Sequence, residues 1–174
     1  ATGHRMEDST VTQLRGGFDA GLPLPLGHSS VWSRSAAGVA NGDRNNPILN
    51  YYFGGFGNNI VDDGVVKRYR EYRSMPGFDI DEIAGRTFVK QTLEWNLPPV
   101  VFESLGKPSF HLQSLRPALF ASALWADPQD SALRKTYGSL GAQVDMRISV
   151  LYWYDMILST GFAAGYKGSR HSSN

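Results

Sequence analysis

The chain has 174 residues and a formal net charge of +1, with 41% hydrophobic and 19% charged residues and no cysteine. This composition suits one folded domain and is too poor in charge for a disordered chain. The small net charge excludes a general attraction to nucleic acid, and the lack of cysteine excludes disulfides and thiolate metal sites.

Extended segments separated by turn sequences begin close to the amino terminus. Residues 1–9 are predicted to be a disordered or linker segment, and residues 10–22 a strand that runs into PLPLG. Proline ends that strand because it lacks the N–H that a ladder needs. A second strand is predicted over 29–40, followed by the polar loop NGDRNNP, a short aromatic strand ILNYYFGGF and a long charged connection over 58–83.

The second half of the chain shows clearer alternation. In GRTFVKQTLEWNL, apolar side chains share one face with Gln91 as the exception, and polar side chains share the other. A turn region is predicted over 98–112, then a strand QSLRPALFASALWA. Every second residue of 140–150 is apolar, which predicts a strand with one apolar and one polar face. A tight turn around YWYD leads to a last strand over 154–166.

Two environments require such two-faced strands. A soluble sandwich has a core on one side and water on the other, whereas a membrane barrel has lipid outside and a wet lumen inside. Most predicted strands exceed the five or six residues typical of globular proteins and reach the roughly nine to eleven that cross a bilayer. Short and long connections also alternate, as in outer-membrane barrels. Both observations favour the barrel, and a soluble β-sandwich binding module is the alternative.

No motif indicates catalysis or a bound cofactor. The four histidines, His4, His28, His111 and His171, have no metal-ligand neighbour three or four residues away. GGFG at 54–57 is not followed by the Lys-Ser/Thr of a phosphate-binding loop, and no G-x-S-x-G is present. The sequence therefore predicts a protein that is not an enzyme and has no cofactor or metal site.

The cluster KRYREYR at 67–73 places Arg68, Tyr69, Arg70 and Arg73 in the longest connection. Such a charge run is usually a solvated loop. A connection of this length in a compact domain is uncommon, however, and is often functional. These four residues are the candidates for a functional loop.

Several segments together resemble a known family: RGGFDAGLPLPLGHSSVWSRSAAG, FGGFGNN, KRYREYRSMPGFDIDEIAGRTFVKQTLEWNLPP, LRPALFASAL and GAQVDMRISVLYWYDMILSTGFA. From about residue 14 to 166 the chain resembles the carboxy-terminal half of the bacterial surface-antigen barrels. That superfamily includes BamA and the two-partner secretion translocators, and the branch fused to a TolB-like propeller is the most similar. The resemblance implies a sixteen-stranded barrel in the bacterial outer membrane that inserts, transports or secretes polypeptides.

The resemblance also implies a lid loop that folds into the lumen. In the family an Arg-Gly-Phe/Tyr loop meets an Asp in a Phe-x-Asp-x-Gly strand, but this chain has Arg68-Tyr69-Arg70, and Ser122 replaces the Asp. An arginine in the lumen needs another anion. We expect Arg68 or Arg70 to pair with Glu94, with Tyr69 packed beside it. Asp145 and Arg147 are expected to face the lumen too and to compensate each other's charge.

These observations predict an all-β fold, an antiparallel up-and-down transmembrane β-barrel present as an open partial barrel of about seven strands. It spans 10–166, and 167–174 is expected to be a truncated outer loop. The expected partners are outer-membrane lipid, client polypeptides, the remainder of its own barrel and an upstream periplasmic domain, with no nucleic acid.

Overall fold

The computed structural model describes residues 12–41, 49–56, 68–107, 109–130, 133–151 and 153–168. The described strands are β1 (Thr12–Pro23), β2 (Ser30–Asn41), β3 (Tyr51–Phe53), β4 (Ile83–Gly85), β5 (Thr87–Asn96), β6 (Val100–Lys107), β7 (Phe110–Ala126), β8 (Lys135–Val150) and β9 (Tyr154–Lys167). Arg68–Arg70 form a short 3-10 helix. The prediction of an all-β fold is confirmed.

Seven strands form one antiparallel sheet. Six of them follow the order β1-β2-β5-β7-β8-β9, and β6 pairs with the part of β7 that lies beyond the end of β5. The sheet does not close, so β1 and β9 are its edges. The turn after Pro23 sets the register of the first pair, which places Asp19 opposite Arg34. The prediction of an open sheet of about seven strands is confirmed.

The short aromatic strand predicted at ILNYYFGGF is present, but its predicted extent is wrong and it lies outside the main sheet. Only Tyr51–Phe53 are extended there, and they pair with β4 in a separate two-stranded ladder. Gly55 has a φ of 62°; its N–H donates to the carbonyl of Phe78, and its carbonyl accepts from the N–H of Met75. The connection therefore folds on itself, and β2 pairs directly with β5.

The prediction of a turn over 98–112 is also wrong. Pro98 and Pro99 interrupt the strand, but β6 continues along β7, and the hairpin turn comes only between Lys107 and Phe110. Pro117 lies opposite this interruption, where its carbonyl accepts from the N–H of Leu97 at 3.0 Å. In an antiparallel strand the N–H and the carbonyl of one residue point to the same neighbour. The nitrogen of Pro117 therefore points to the interruption and not to β8, so its missing N–H removes no hydrogen bond between β7 and β8. The strand predicted from 140 likewise begins earlier, at Lys135.

The two faces of the main sheet differ in chemistry. The outer face exposes large apolar side chains: Leu14, Phe18, Leu22, Val39, Val89, Leu93, Trp95, Leu119, Trp125, Leu140, Met156, Leu158 and Phe162. Gln91, the polar exception, donates to Ser33 at 2.8 Å and accepts from Ser35 at 2.5 Å. The inner face buries apolar side chains such as Phe88, Phe120 and Leu124, and it also buries polar ones: Lys90, Thr92, Glu94, Ser122, Ser139, Gln143 and Asp145.

The described parts of the connection between β2 and β5, residues 49–56 and 68–86, pack on the inner face and are called the inner loop. Its apolar residues, Leu49, Tyr51, Phe53, Met75, Phe78 and Ile83, form one buried cluster with sheet residues such as Phe88 and Leu124. The Phe88 ring meets those of Tyr51 and Phe53 edge to face, each at 4.8 Å between centroids. The hydrophobic core therefore lies between the sheet and its own loop.

Candidate functional site

The inner loop presents Tyr69 and Arg70 to the inner face through a compact turn. The 3-10 helix Arg68–Arg70 begins it, and the hydroxyl of Ser74 then donates to the carbonyls of Tyr69 and Glu71. Both of these bonds return to residues at most five positions earlier, so they stabilise the turn locally. Ser74 is fully buried.

Arg70 and Glu94 form a two-point ion pair. The Nε of Arg70 donates to Oε2 of Glu94 at 2.8 Å, and its second guanidinium nitrogen donates to Oε1. The Glu94 side chain is 0% exposed, against 31% for Arg70. Burial opposes the charge of Arg70, but the hydrogen bonds and negative charge of Glu94 outweigh it and raise the pKa of Arg70. The arginine thus stays charged, and its fork-shaped donors meet a planar carboxylate.

A second arginine adjoins the same carboxylate from β2. The Nε of Arg34 lies 3.6 Å from Oε2 of Glu94, and a terminal nitrogen of Arg34 donates to Asp19 on β1. The charges of Asp19, Arg34, Glu94 and Arg70 therefore alternate in sign from the edge strand to the inner loop. Like charges are kept apart along this row, which lowers the electrostatic cost of burying its central members.

Tyr69 lies flat on the wall of the sheet. Its ring stacks on Phe120 with centroids 4.3 Å apart and an angle of 17° between planes. Its hydroxyl is buried beside Glu94 and Arg70. Burial, and then the negative charge of Glu94, raise the pKa of Tyr69, so the phenol stays neutral. The ring supplies apolar contact beside the ion pair.

Lys90 makes a third attachment. Its ammonium donates to the carbonyls of Glu71 at 3.1 Å and Tyr72 at 3.2 Å, and also to the carbonyl of Ser74. Lys90, Thr92 and Glu94 are every second residue of β5, and all three are buried on the same face. A buried ammonium needs such acceptors, because it has three donors and no water to satisfy them. The lysine and the loop backbone therefore satisfy each other.

The inner loop also reaches both edge strands. The guanidinium of Arg15 on β1 lies 3.9 Å from the ring centre of Tyr72, and the ammonium of Lys167 on β9 lies 2.6 Å from Glu82. In a flat sheet these edges would be about 24 Å apart, five strand spacings. The loop between Tyr72 and Glu82 is mostly turns rather than extended chain, so its contacts with both edges indicate a concave inner face.

The structure brings together some of the predicted site residues. Arg70, Tyr69 and Glu94 meet as expected from the sequence, whereas the side chain of Arg68 lies outside the described residues. Arg73 is exposed, and its Nε donates to the Tyr72 hydroxyl at 2.6 Å. It therefore remains at the loop surface.

The remaining predicted residues are bound within the sheet. Ser122 shares a hydrogen bond of 2.9 Å with Thr92. Asp145 is buried and accepts from Gln143 at 2.6 Å and Ser159 at 2.8 Å. The ion pair described for Arg147 joins it to Asp155 at 2.9 Å. Neutralisation of Asp145 by Arg147 stays a prediction.

Three residues of the site were not predicted from the sequence. Lys90 is one of them, although its shared face with Glu94 is visible in the alternation of β5. Asp19 and Arg34 are the others. The turn between β1 and β2 would have indicated their pairing, because its register places them opposite each other.

An open cavity of about 410 Å³ lies on the inner face beside Arg70. Charged side chains of both signs line it: Arg70, Arg116, Asp145 and Arg147, with His28 and Asn96. Such a lining can bind polar or charged segments of another molecule. Among the residues that the structure describes, no group of His, Asp and Glu side chains is arranged to bind a metal ion.

Comparison of the chain with models of protein families, with curated proteins and with solved structures gave no match. Within the described ranges, no helix is long and apolar enough to cross a membrane.

Proposed function

We propose that this chain is a segment of a bacterial outer-membrane β-barrel that serves the insertion, transport or secretion of polypeptides without enzymatic chemistry. The observation that carries the proposal is an exposed apolar outer face combined with buried charged groups on the inner face. Leu14, Phe18 and Leu22 are about 70% exposed on the outer face, whereas Glu94 and Asp145 are buried on the inner face. A soluble sheet buries its apolar face, and lipid is the solvent that suits an exposed one.

The position of the second sheet also supports the barrel over a soluble sandwich. A sandwich would cover the apolar outer face with another sheet. Here the two-stranded β3–β4 ladder belongs to the inner loop, and its Tyr51 and Phe53 pack on Phe88 of the inner face. Among the described residues the outer face keeps its exposed leucines and tryptophans. An apolar surface of this extent marks an interface with a membrane or a partner.

The polypeptide part of the proposal rests on the resemblance to surface-antigen barrels and on the inner loop. A loop bound inside the concave face is what that resemblance implies. Ser122 stands at the position of the family's Asp, and here Glu94 is the carboxylate that pairs with the loop arginine Arg70. The open edges of β1 and β9 support pairing with further strands of the same barrel, because a membrane tolerates no unpaired edge. An upstream TolB-like propeller remains part of the proposal.

Tryptophan quenching in lipid tests the membrane assignment. Variants that keep only Trp95, on the outer face, or only Trp32, on the inner side of β2, would be placed in vesicles whose acyl chains carry bromine. Trp95 fluorescence should be quenched strongly and Trp32 fluorescence weakly, because bromine quenches only on contact. Equal quenching, or none in either variant, would contradict a lipid-facing outer face.

The transport assignment needs a separate experiment. Vesicles with and without the protein would receive a denatured outer-membrane protein from outside, and its acquisition of protease resistance would be followed. The proposal expects faster acquisition with the protein present. If the protein contacts lipid but neither accelerates insertion nor lets the added polypeptide pass, the membrane assignment would stand and the transport assignment would be contradicted.

A further inference from the structure

The open cavity on the inner face contains an arginine that the fold itself does not use. Arg116 on β7 is exposed and lines the cavity together with Arg70 and Arg147. Within the described part of the chain, Arg116 makes no ion pair and no hydrogen bond, whereas Arg70 binds Glu94 and Arg147 binds Asp155. Arg116 therefore contributes a free guanidinium to the cavity.

Arg147 adds further donors beside Arg116. Its side chain is 48% exposed, and the hydrogen bond described for its guanidinium, to Asp155, leaves most of its five N–H groups available. Arg116 lies opposite Asp145, and Arg147 follows two residues along β8 on the same face. Diagonal neighbours of this kind are about 7–8 Å apart, which allows two long side chains to reach one bound group.

The carboxylates around the cavity are, in contrast, withdrawn from its opening. Asp145 is 4% exposed, and its carboxylate accepts hydrogen bonds within the sheet. The Glu94 side chain is 0% exposed and is bound by Arg70. Asp155 is half exposed but does not line the cavity. The charge that a ligand meets there is therefore positive, although the lining contains both signs.

The size and the remaining walls of the cavity indicate a peptide rather than a simple ion. Its volume of about 410 Å³ is in the range of ligand pockets and is far larger than one inorganic oxyanion needs. Leu97, Pro99, Pro117 and Ile157 contribute apolar surface to the same cavity. A carboxylate carried by a chain with apolar atoms beside it matches both parts of this lining.

We propose that the cavity binds an acidic segment of a polypeptide, with Arg116 and Arg147 as the ligands of its carboxylate. The forked N–H donors of an arginine match the two oxygens of such a group. The inference deepens the proposed function and rests on it for the nature of the ligand, because it names the chemistry of the polypeptide that the inner face would receive. The two arginines belong to β7 and β8, and the binding itself needs no lipid.

Binding of short peptides to the full chain tests the inference. Isothermal titration calorimetry in a non-ionic detergent would compare peptides in which alanine alternates with glutamate, glutamine or lysine. The glutamate peptide should bind about tenfold more tightly than the glutamine peptide, because a hydrogen bond to a charged acceptor is stronger than one to a neutral acceptor. Equal affinities for these two peptides, or tighter binding of the lysine peptide, would overturn the proposal.

Arg116→Gln should weaken binding of the glutamate peptide about tenfold, because one charged donor is lost. Its unfolding transition should stay unchanged, since Arg116 has no described partner in the fold, and Arg116→Lys should recover part of the affinity. Arg134→Gln is the matched control, because it removes an exposed arginine beside the other end of β8, roughly 30 Å from Asp145. Equal losses in Arg116→Gln and Arg134→Gln would show attraction to any surface cation and would overturn the site.

Inorganic phosphate distinguishes a peptide site from a site for a simple anion. Phosphate that binds more tightly than the glutamate peptide, and whose binding is weakened by Arg116→Gln, would overturn the assignment to a polypeptide. The lipid experiment gives a separate answer. Absence of peptide binding with strong quenching of Trp95 would reject this site and leave the membrane assignment, whereas peptide binding without quenching would retain the site and reject lipid contact.

Discussion

Among the single residues of the site, Glu94 and Lys90 carry opposite charges on the same buried face of β5, and both bind the inner loop. Glu94 binds a loop side chain, and Lys90 binds loop carbonyls. Buried charges are expensive, so each is retained only with partners that satisfy it. The loop supplies those partners in both cases. Its attachment to the sheet therefore depends on the hydrogen bonds and charges of Lys90 and Glu94.

Replacement of the buried carboxylate by its neutral isostere should loosen this attachment. We expect Glu94→Gln to lower the free energy of unfolding by about 3 kcal/mol, the lower end for broken buried ion pairs because Arg70 is partly exposed. Denaturant unfolding in detergent would measure it. Glu103→Gln, at an exposed position of β6, is the control and should change little. Similar losses in both variants would contradict a special role for Glu94.

Loss of the ammonium should remove the side-chain donor described for the carbonyls of Tyr72 and Ser74. Lys90→Met keeps most of the side-chain volume but removes the donor to Glu71, Tyr72 and Ser74. We expect a cost of about 1–3 kcal/mol, and faster proteolytic cleavage within 71–75. Lys135→Met removes an exposed lysine at the start of β8 and serves as the control. Unchanged cleavage in Lys90→Met would mean that these bonds do not hold the loop.

Between elements, the inner loop fits closely against β9 through two glycines, Gly77 and Gly165. Gly77 has a φ of 93°, and a Cβ added there would lie 2.4 Å from the backbone nitrogen of Gly165 and 2.6 Å from the carbonyl carbon of Ala164. A Cβ added at Gly165 would in turn lie 2.5 Å from the carbonyl oxygen of Gly77. The close approach of loop and strand therefore requires that neither position carries a side chain.

A methyl group at this contact should push the loop away from β9. We expect Gly77→Ala to cost more than about 1 kcal/mol, because the backbone conformation and the space both disfavour a side chain. Gly138→Ala on β8 is the matched control, since the nearest atom to its added Cβ would be 4.0 Å away. Equal unfolding free energies for the two variants would contradict close packing of loop and strand.

Strand β9 presents neighbouring residues to opposite faces, which allows a paired test of its surroundings. Leu158 is exposed on the outer face, and Ser159 donates to Asp145 on the inner face. If lipid covers the outer face, Leu158→Arg should cost roughly 2–4 kcal/mol in a reversible membrane-folding assay. Ser159→Arg, placed beside a carboxylate, should cost much less. Equal costs would contradict the lipid-facing assignment.

In the molecule as a whole, the sheet has a centre and two open edges. Strands β2, β5, β7 and β8 have neighbours on both sides, whereas β1, β6 and β9 are paired on one side only. Hydrogen exchange follows such differences, because unpaired amides open without breaking a ladder. The edges are also where another strand could add.

In the isolated chain, the amides of β7 and β8 should exchange most slowly, and alternate amides of β1 and β9 most quickly. Hydrogen exchange followed by mass spectrometry or NMR would measure this in detergent. Protection of β1 or β9 equal to that of β8 would show that a further strand covers that edge in solution.

The strand character of the chain and the two faces of its sheet could be predicted from local sequence patterns. Alternation along β5 and β8 is a local property, because successive side chains of any strand point to opposite sides. It placed Glu94 and Asp145 on the polar face and led to Glu94 as the partner of the basic loop. Local patterns did not reveal that the chain resumes pairing with β7 after Pro98 and Pro99, as strand β6.

The contacts between distant segments, in contrast, could be known only from the folded chain. The pairing of β3 with β4, the carbonyls around Lys90 and the position of Arg34 between Asp19 and Glu94 all join residues far apart in sequence. No periodicity encodes such contacts, because they depend on the register of the sheet and on the path of the inner loop. The loop takes that path because its apolar residues and buried charges are satisfied together on the inner face.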